Sequence, residues 1–216
     1  MKKYSSNAEE ARITLDLLNA VEANSSVTQR SVAQELGIAL GLTNTYLKRC
    51  VRKGYIKAKQ IPANRYAYYL TPKGFAEKSR LAGEYLSISF NFFRASREQC
   101  AAAFEECAER RWTRVALAGC GDLAEIATLC VRDTPEIEII GIIGTGSSQD
   151  GPEGEFAGLP VVKHLTELSK VHAVMVTDIV EAQRVFDELG RTIPPERVLT
   201  IPLLKVSRVQ PRLADD

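Results

Sequence analysis

The chain has 216 residues, 45% of them hydrophobic, which is enough for one large core or two small ones. No apolar run approaches the ~20 residues that cross a bilayer, and no leader-like stretch opens the sequence, so a cytoplasmic, non-membrane protein is expected. The net charge of +1 hides an asymmetry: residues 1–80 carry 14 basic against 6 acidic side chains, and the remainder 14 against 21. The first half is therefore expected to meet a polyanion and the second is not.

In chain order, Asn7-x-x-Glu10 reads as a capping box that opens a helix, with Ile13, Leu17, Leu18 and Val21 at helical spacing up to about Glu22. Asn24-Ser25-Ser26 breaks it. Thr28 is placed to cap a second, short helix carrying Val32, Ala33 and Leu36 and stopping at Gly37. A third helix is predicted over Leu40–Lys53, ending at Gly54. Two strand-like segments, Tyr55–Gln60 and Arg65–Leu70, flank a turn at Ile61–Asn64. Thr71-Pro72 then offers an N-cap and a proline at the first helical position. Helix, helix, helix, hairpin, helix is the order of a winged helix.

Over residues 81–112, Leu81, Tyr85, Ile88 and Phe92 fit helical spacing, and Ser96-x-x-Gln99 reads as the capping box of a further helix striped with Cys100, Phe104 and Cys107. Such apolar faces bury themselves against a second subunit or against their own C-terminal domain; a homodimer is the expectation. From Thr113 the pattern alternates. Strands are predicted at Arg114–Ala118, Ile137–Ile143, Val161-Val162, Ala173–Val176 and Val198–Ile201, and helices at Leu123–Val131, His164–Ser169 and Val180–Leu189. Continuous apolar strands between helices imply a parallel sheet covered on both faces.

The basic half carries its chemistry on Thr28–Lys53. With Leu47 and Val51 turned inward, Thr43, Asn44, Lys48 and Arg52 fall on the outer side of the third helix. Asn44 is suited to a bidentate contact with adenine, and Thr43 and Thr45 to base edges. Lys48, Arg49, Arg52 and Lys53 suit phosphates, the hairpin adds Lys57, Lys59, Asn64 and Arg65, with Arg65 at a tip able to enter a minor groove, and Thr28, Gln29 and Arg30 open the preceding helix. The string VTQRSVAQELGIALGLTNTYLKRCVRKGYIKAK, followed by YAYYLTPKGFAEKSRL, resembles winged helix-turn-helix regulators of the MarR type, particularly those associated with bacterial exopolysaccharide genes. The resemblance spans residues 10–82 and implies that Leu40–Lys53 is the recognition helix and Tyr55–Leu70 the wing.

The acidic half opens with Gly119-Cys-Gly121-Asp-Leu-Ala124 between a strand and a helix. In that context Gly119, Cys120, Gly121, Asp122 and Leu123 are candidates to hold a phosphate on helix amides. Gly144, Thr145, Ser147 and Ser148 follow the second strand and offer hydrogen bonds to phosphate or sugar hydroxyls. No acid stands there before Asp150, where a nicotinamide dinucleotide would need one, so a nucleotide or sugar nucleotide fits better than NAD. Gly158-Leu-Pro-Val161 and its surroundings resemble the Rossmann-like domains of redox-sensing repressors, CoA-binding proteins and sugar-modifying acyltransferases, over residues 113–202.

Five cysteines at 50, 100, 107, 120 and 130 lack the close pairs of a zinc site and read as reduced thiols. His164 and His172 stand in no catalytic spacing, and no nucleophile elbow is present. The sequence is therefore read as an α/β protein with no enzymatic role: a winged helix-turn-helix at 1–80, a helical dimerisation segment at 81–112 and a Rossmann-like parallel-sheet domain at 113–216. Its expected partners are double-stranded DNA and a nucleotide-type effector. The alternatives are an NAD(P)- or nucleotide-sugar-using enzyme with a DNA-binding appendage, and a constitutive DNA-binding protein whose second half only dimerises.

Overall fold

A computed structural model describes residues 2–25, 27–62, 65–146 and 154–208, with the side chains of residues 2–8, Ile61 and Arg65 outside that description. Asn64, Ser147, Ser148 and Asp150 lie outside the described residues. The chain divides into two compact units, Met1–Phe90 and Asn91–Asp216. Among the described residues no helix is long and apolar enough to cross a membrane.

In the first unit, α1 (Lys2–Ala23), α2 (Gln29–Glu35) and α3 (Leu40–Arg52) precede a hairpin of β1 (Ile56–Ile61) and β2 (Arg65–Leu70) and the start of α4 (Pro72–Glu109). α1 begins earlier than predicted: no glycine or proline interrupts residues 2–6, so Asn7 lies inside the helix and not at its cap. Thr28 caps α2 as expected, its Oγ1 accepting from the Ser31 amide at 3.0 Å. Gly37 turns the chain into α3.

Leu17, Leu18 and Val21 of α1, Val32 of α2, Tyr46, Leu47 and Cys50 of α3, Ile56 and Tyr68 of the hairpin and Leu81 of α4 bury one another in a single core. Thr71 fastens the hairpin to α4. Its Oγ1 accepts from the Gly74 amide at 3.0 Å and donates to the Gly54 carbonyl at 2.6 Å. Gly74 runs against the Tyr55 carbonyl so closely that a β-carbon would lie 2.1 Å from that oxygen. The first helical turn of α4 thus has no room for a side chain there.

α4 is one continuous helix where the sequence predicts two. Ser96 is buried within it and caps nothing, and the Gln99 side-chain Oε1 accepts from the Leu203 amide at 2.8 Å. Tertiary partners have replaced the local capping box. The Cys100–Phe104–Cys107 stripe is fully buried in the second unit's own core with Val115, Leu117, Leu123 and Ile142, so that stripe is not available to a second subunit.

The second unit is a six-stranded sheet in the order β5-β6-β4-β3-β7-β8, formed by β3 (Arg114–Ala118), β4 (Glu138–Ile143), β5 (Glu155–Phe156), β6 (Leu159–Val162), β7 (Ala173–Val176) and β8 (Val198–Leu199). All neighbours run parallel except β5, which pairs antiparallel with β6. α5 (Asp122–Cys130) follows β3 and α6 (Ala182–Leu189) follows β7. β3 shows why its strands read as continuous apolar runs. Val115 and Leu117 face the core shared with α4 and α5, while Ala116 and Ala118 face Val185, Phe186 and Leu189 of α6. Alanines on that face let α6 approach the sheet. β5 escaped the sequence reading, being a two-residue strand that follows a glycine-rich stretch.

From β3 the chain steps outward through β4 to β6, then returns to place β7 on the other side of β3. Strand order reverses between β3 and β7, and a crevice is expected outside the carboxyl ends of the strands at such a point.

Candidate nucleic-acid interface and ligand crevice

The inner face of α3 is Thr43, Tyr46, Leu47 and Cys50, spaced three and four apart and all buried. Opposite them Gly41, Thr45, Lys48 and Arg52 form the exposed outer stripe. Thr45, Lys48 and Arg52 therefore lie where they were expected. Thr43 does not: it is buried and its hydroxyl donates to the Ala39 carbonyl at 3.2 Å. Val51, expected inside, is 38% exposed, because Tyr46 and Cys50 fill the core and rotate the helix away from the predicted orientation. Asn44 has its Oδ1 buried without a protein partner, so only part of its amide is presented outward.

Arg49 is part-exposed, and its guanidinium pairs with the Glu10 carboxylate of α1 at 2.9 Å. That pair links α3 to α1. Glu77 is the single acid between residues 40 and 80, and it receives two hydrogen bonds from Arg80, both at 3.0 Å. The Arg80 guanidinium holds this carboxyl below the usual range, against the opposing effect of its desolvation. With Glu77 neutralised, Lys48, Arg52, Lys57 and Lys59 project exposed charge with no ion pair among the described residues.

Thr28 spends its side chain on the cap of α2. Gln29 donates to the Tyr68 hydroxyl of β2 at 3.4 Å, tying α2 to the hairpin, while Arg30 is exposed. Lys53 sits 5.7 Å from the centre of the Tyr55 ring. Lys59 is exposed on β1, and Arg65 pairs with Ile61 at the end of the hairpin through its backbone.

At the carboxyl edge of the sheet, Gly121 is the N-cap of α5 with φ 152° and ψ −172°, a conformation held almost only by glycine. Asp122 is the first helical residue, exposed, and does not cap the helix. The side chains of Cys120 and Leu123 are buried, so Leu123 can offer only its amide to a ligand. The Gly144 amide donates to the Val162 carbonyl at 2.9 Å. Thr145 Oγ1 donates to Asp178 Oδ2 at 2.6 Å, and the other oxygen of Asp178 accepts from the amides of Val180 and Glu181, both at 2.8 Å. Asp178 thus organises the crevice by joining the turn after β4 to the start of α6.

A cavity of about 320 Å³ opens at this edge on the α6 side. Gly144 and Thr145 line it; the Gly119–Leu123 turn does not. Lys163, His164 and Thr166 after β6, Glu188 of α6 and Thr192 after it supply its other polar groups. None of these carries a site signal in the sequence, where His164 stands in no catalytic spacing. Asp178, also absent from the predicted set, does carry one: the Thr-Asp-x-x-Glu run directly after an apolar strand. His172 is structural, its Nδ1 accepting from the Arg114 amide at 3.2 Å. Among the described residues no three His, Cys, Asp or Glu side chains gather to hold a metal.

No curated protein matches the chain. Residues 10–57, from α1 through α3 to the start of the wing, match a family described as winged helix-turn-helix DNA-binding.

Proposed function

We propose that the chain is a sequence-specific regulator of transcription that binds duplex DNA through α3 and the β1–β2 wing. The observation that carries this reading is the outer stripe of α3, where Lys48 and Arg52 stand exposed on a helix-turn-helix whose other face is fully packed. A homodimer is part of the proposal. Tyr85, Leu86, Ile88 and Phe90 of α4 are each more than half exposed, which supports pairing through the 81–112 segment. A two-fold dimer reads an inverted repeat whose half-sites lie about one helical turn, 34–36 Å, apart, or a multiple of it. The MarR-type and exopolysaccharide associations belong to the same reading, and DNA binding would place the protein in the cytoplasm.

The second half is proposed to sense a nucleotide-type effector at the carboxyl edge of the sheet. Support comes from the glycine-only backbone at Gly121, the amides at the start of α5 and the cavity beside Thr145 and Lys163. The effector alters DNA affinity only if it binds two arrangements of the dimer unequally. Selection of duplexes from a random pool by the full chain tests the first half of the proposal; an enriched inverted repeat is expected, and no enrichment contradicts it. Repeating the binding with nucleotides and nucleotide sugars tests the second, with unchanged affinity across the panel counting against a sensor.

A further inference from the structure

Polar readers are scarce on the first two turns of α3. Thr43 is buried, and Asn44 has its Oδ1 turned inward, whereas a bidentate contact with adenine needs both ends of the amide. Thr45 is exposed, but its hydroxyl donates to the Gly41 carbonyl at 2.9 Å. Its one hydroxyl proton is used within the helix, so toward a partner the oxygen can only accept, and the methyl group is free to make apolar contact. Leu42, in the first turn beside this stripe, is 43% exposed.

Gly41 adds an independent observation. A glycine inside a helix costs stability relative to alanine. Here nothing in the chain requires it: a β-carbon at Gly41 would meet no atom within 4 Å, and its backbone is ordinary helix. A bare backbone is useful where an external surface comes close. Gly41, Thr45, Lys48 and Arg52 share one stripe, so the surface that approaches Gly41 is the one that the two cations attract.

Resting on the DNA-binding reading above, we propose that α3 reads thymine through its C5-methyl group, with Leu42 and the Thr45 methyl making the contact over the bare backbone of Gly41. In the major groove that methyl is the apolar group that marks one base pair from another. Lys48 and Arg52, farther along the stripe, position the helix on phosphates without reading sequence.

The test starts from a duplex enriched by the full chain and replaces its thymines one at a time with deoxyuridine, which removes only the methyl. Wild-type affinity is expected to fall about 5-fold at one or two thymines per half-site. That loss should vanish in Leu42→Ala and shrink in Thr45→Ser, which keeps the hydroxyl and drops the methyl. Gly41→Ala should raise thermal stability yet weaken binding to the same duplex, a combination a folding defect does not produce. Lys48→Gln should weaken all duplexes alike. If deoxyuridine is tolerated at every thymine, or its cost persists in Leu42→Ala, the thymine proposal is overturned while DNA binding stands. If no duplex is enriched, both fall.

Discussion

Gly119 and Asp178 meet backbone to backbone: a β-carbon on Gly119 would lie 2.6 Å from the Asp178 amide nitrogen and 2.7 Å from its Cα. The Gly119 amide also donates to the Ile143 carbonyl at 2.9 Å, and the Asp178 amide to Ala118 at 3.0 Å. Glycine at 119 is thus required by the join between the turns after β3 and β7 before any ligand is considered. With φ at +109°, Gly119→Ala combines a clash with backbone strain. A loss of about 3 kcal/mol in unfolding free energy is expected by urea denaturation. An unchanged midpoint would show that the two turns have room to part.

The thiols of Cys100 and Cys107 are pushed up to about 12, and that of Cys50 to about 11, in each case chiefly by burial. A raised folded-state value stabilises the fold below the ordinary thiol value of about 8.5, and that contribution is lost as pH rises toward 11–12. Stability should therefore fall above about pH 9. At neutral pH all three should react with iodoacetamide only as fast as the protein opens. Rapid modification of Cys100 or Cys107 in the folded protein would instead point to a redox role.

Glu77 titrates in the opposite sense. Hydrogen bonding from Arg80 depresses its folded-state value, so its stabilising contribution is present above the ordinary carboxylate value of about 4.3 and is lost as pH falls through the depressed value. Glu77→Gln should flatten the acid limb of the stability curve between the depressed value and the ordinary one. A mutant curve parallel to wild type throughout would mean that the Arg80 pair is inert.

Glu10 restrains a cation beside the exposed stripe of α3, through its 2.9 Å pair with Arg49. Glu10→Gln should release Arg49 to a phosphate and steepen the dependence of log K on log salt by about 0.9 per subunit. Arg49→Gln alone should change that slope little. If Arg49→Gln flattens it as much as Lys48→Gln does, Arg49 reaches the DNA despite its partner.

How far the sequence carried the reading can be traced at single positions. Thr28, Gly37, Gly54 and Thr71-Pro72 act locally, through caps and turns, and so placed α2, α3, the wing and the start of α4 within a residue or two. The apolar runs of β3, β4 and β7 were as plain, because both faces of each are covered. The rotation of α3 is not: Leu47 is buried as expected, but Tyr46 and Cys50 join it in the core while Val51 is left 38% exposed, an orientation set by tertiary packing. Ser96 and Gln99 misled for the same reason, their local capping pattern being overridden by burial and by Leu203. Asp178 and Lys163 reach the crevice from strands distant in sequence, and no spacing within the chain reveals that convergence.

The central claim is that the outer stripe of α3 holds duplex DNA, and charge reversal tests it most directly. Lys48→Glu with Arg52→Glu alters only exposed side chains, so folding should be retained. Binding of the full chain to an enriched duplex, measured across a salt series, should weaken at least 100-fold at low salt and lose about 2 from the salt slope per subunit. Wild-type affinity and slope in the reversed variant would contradict the account.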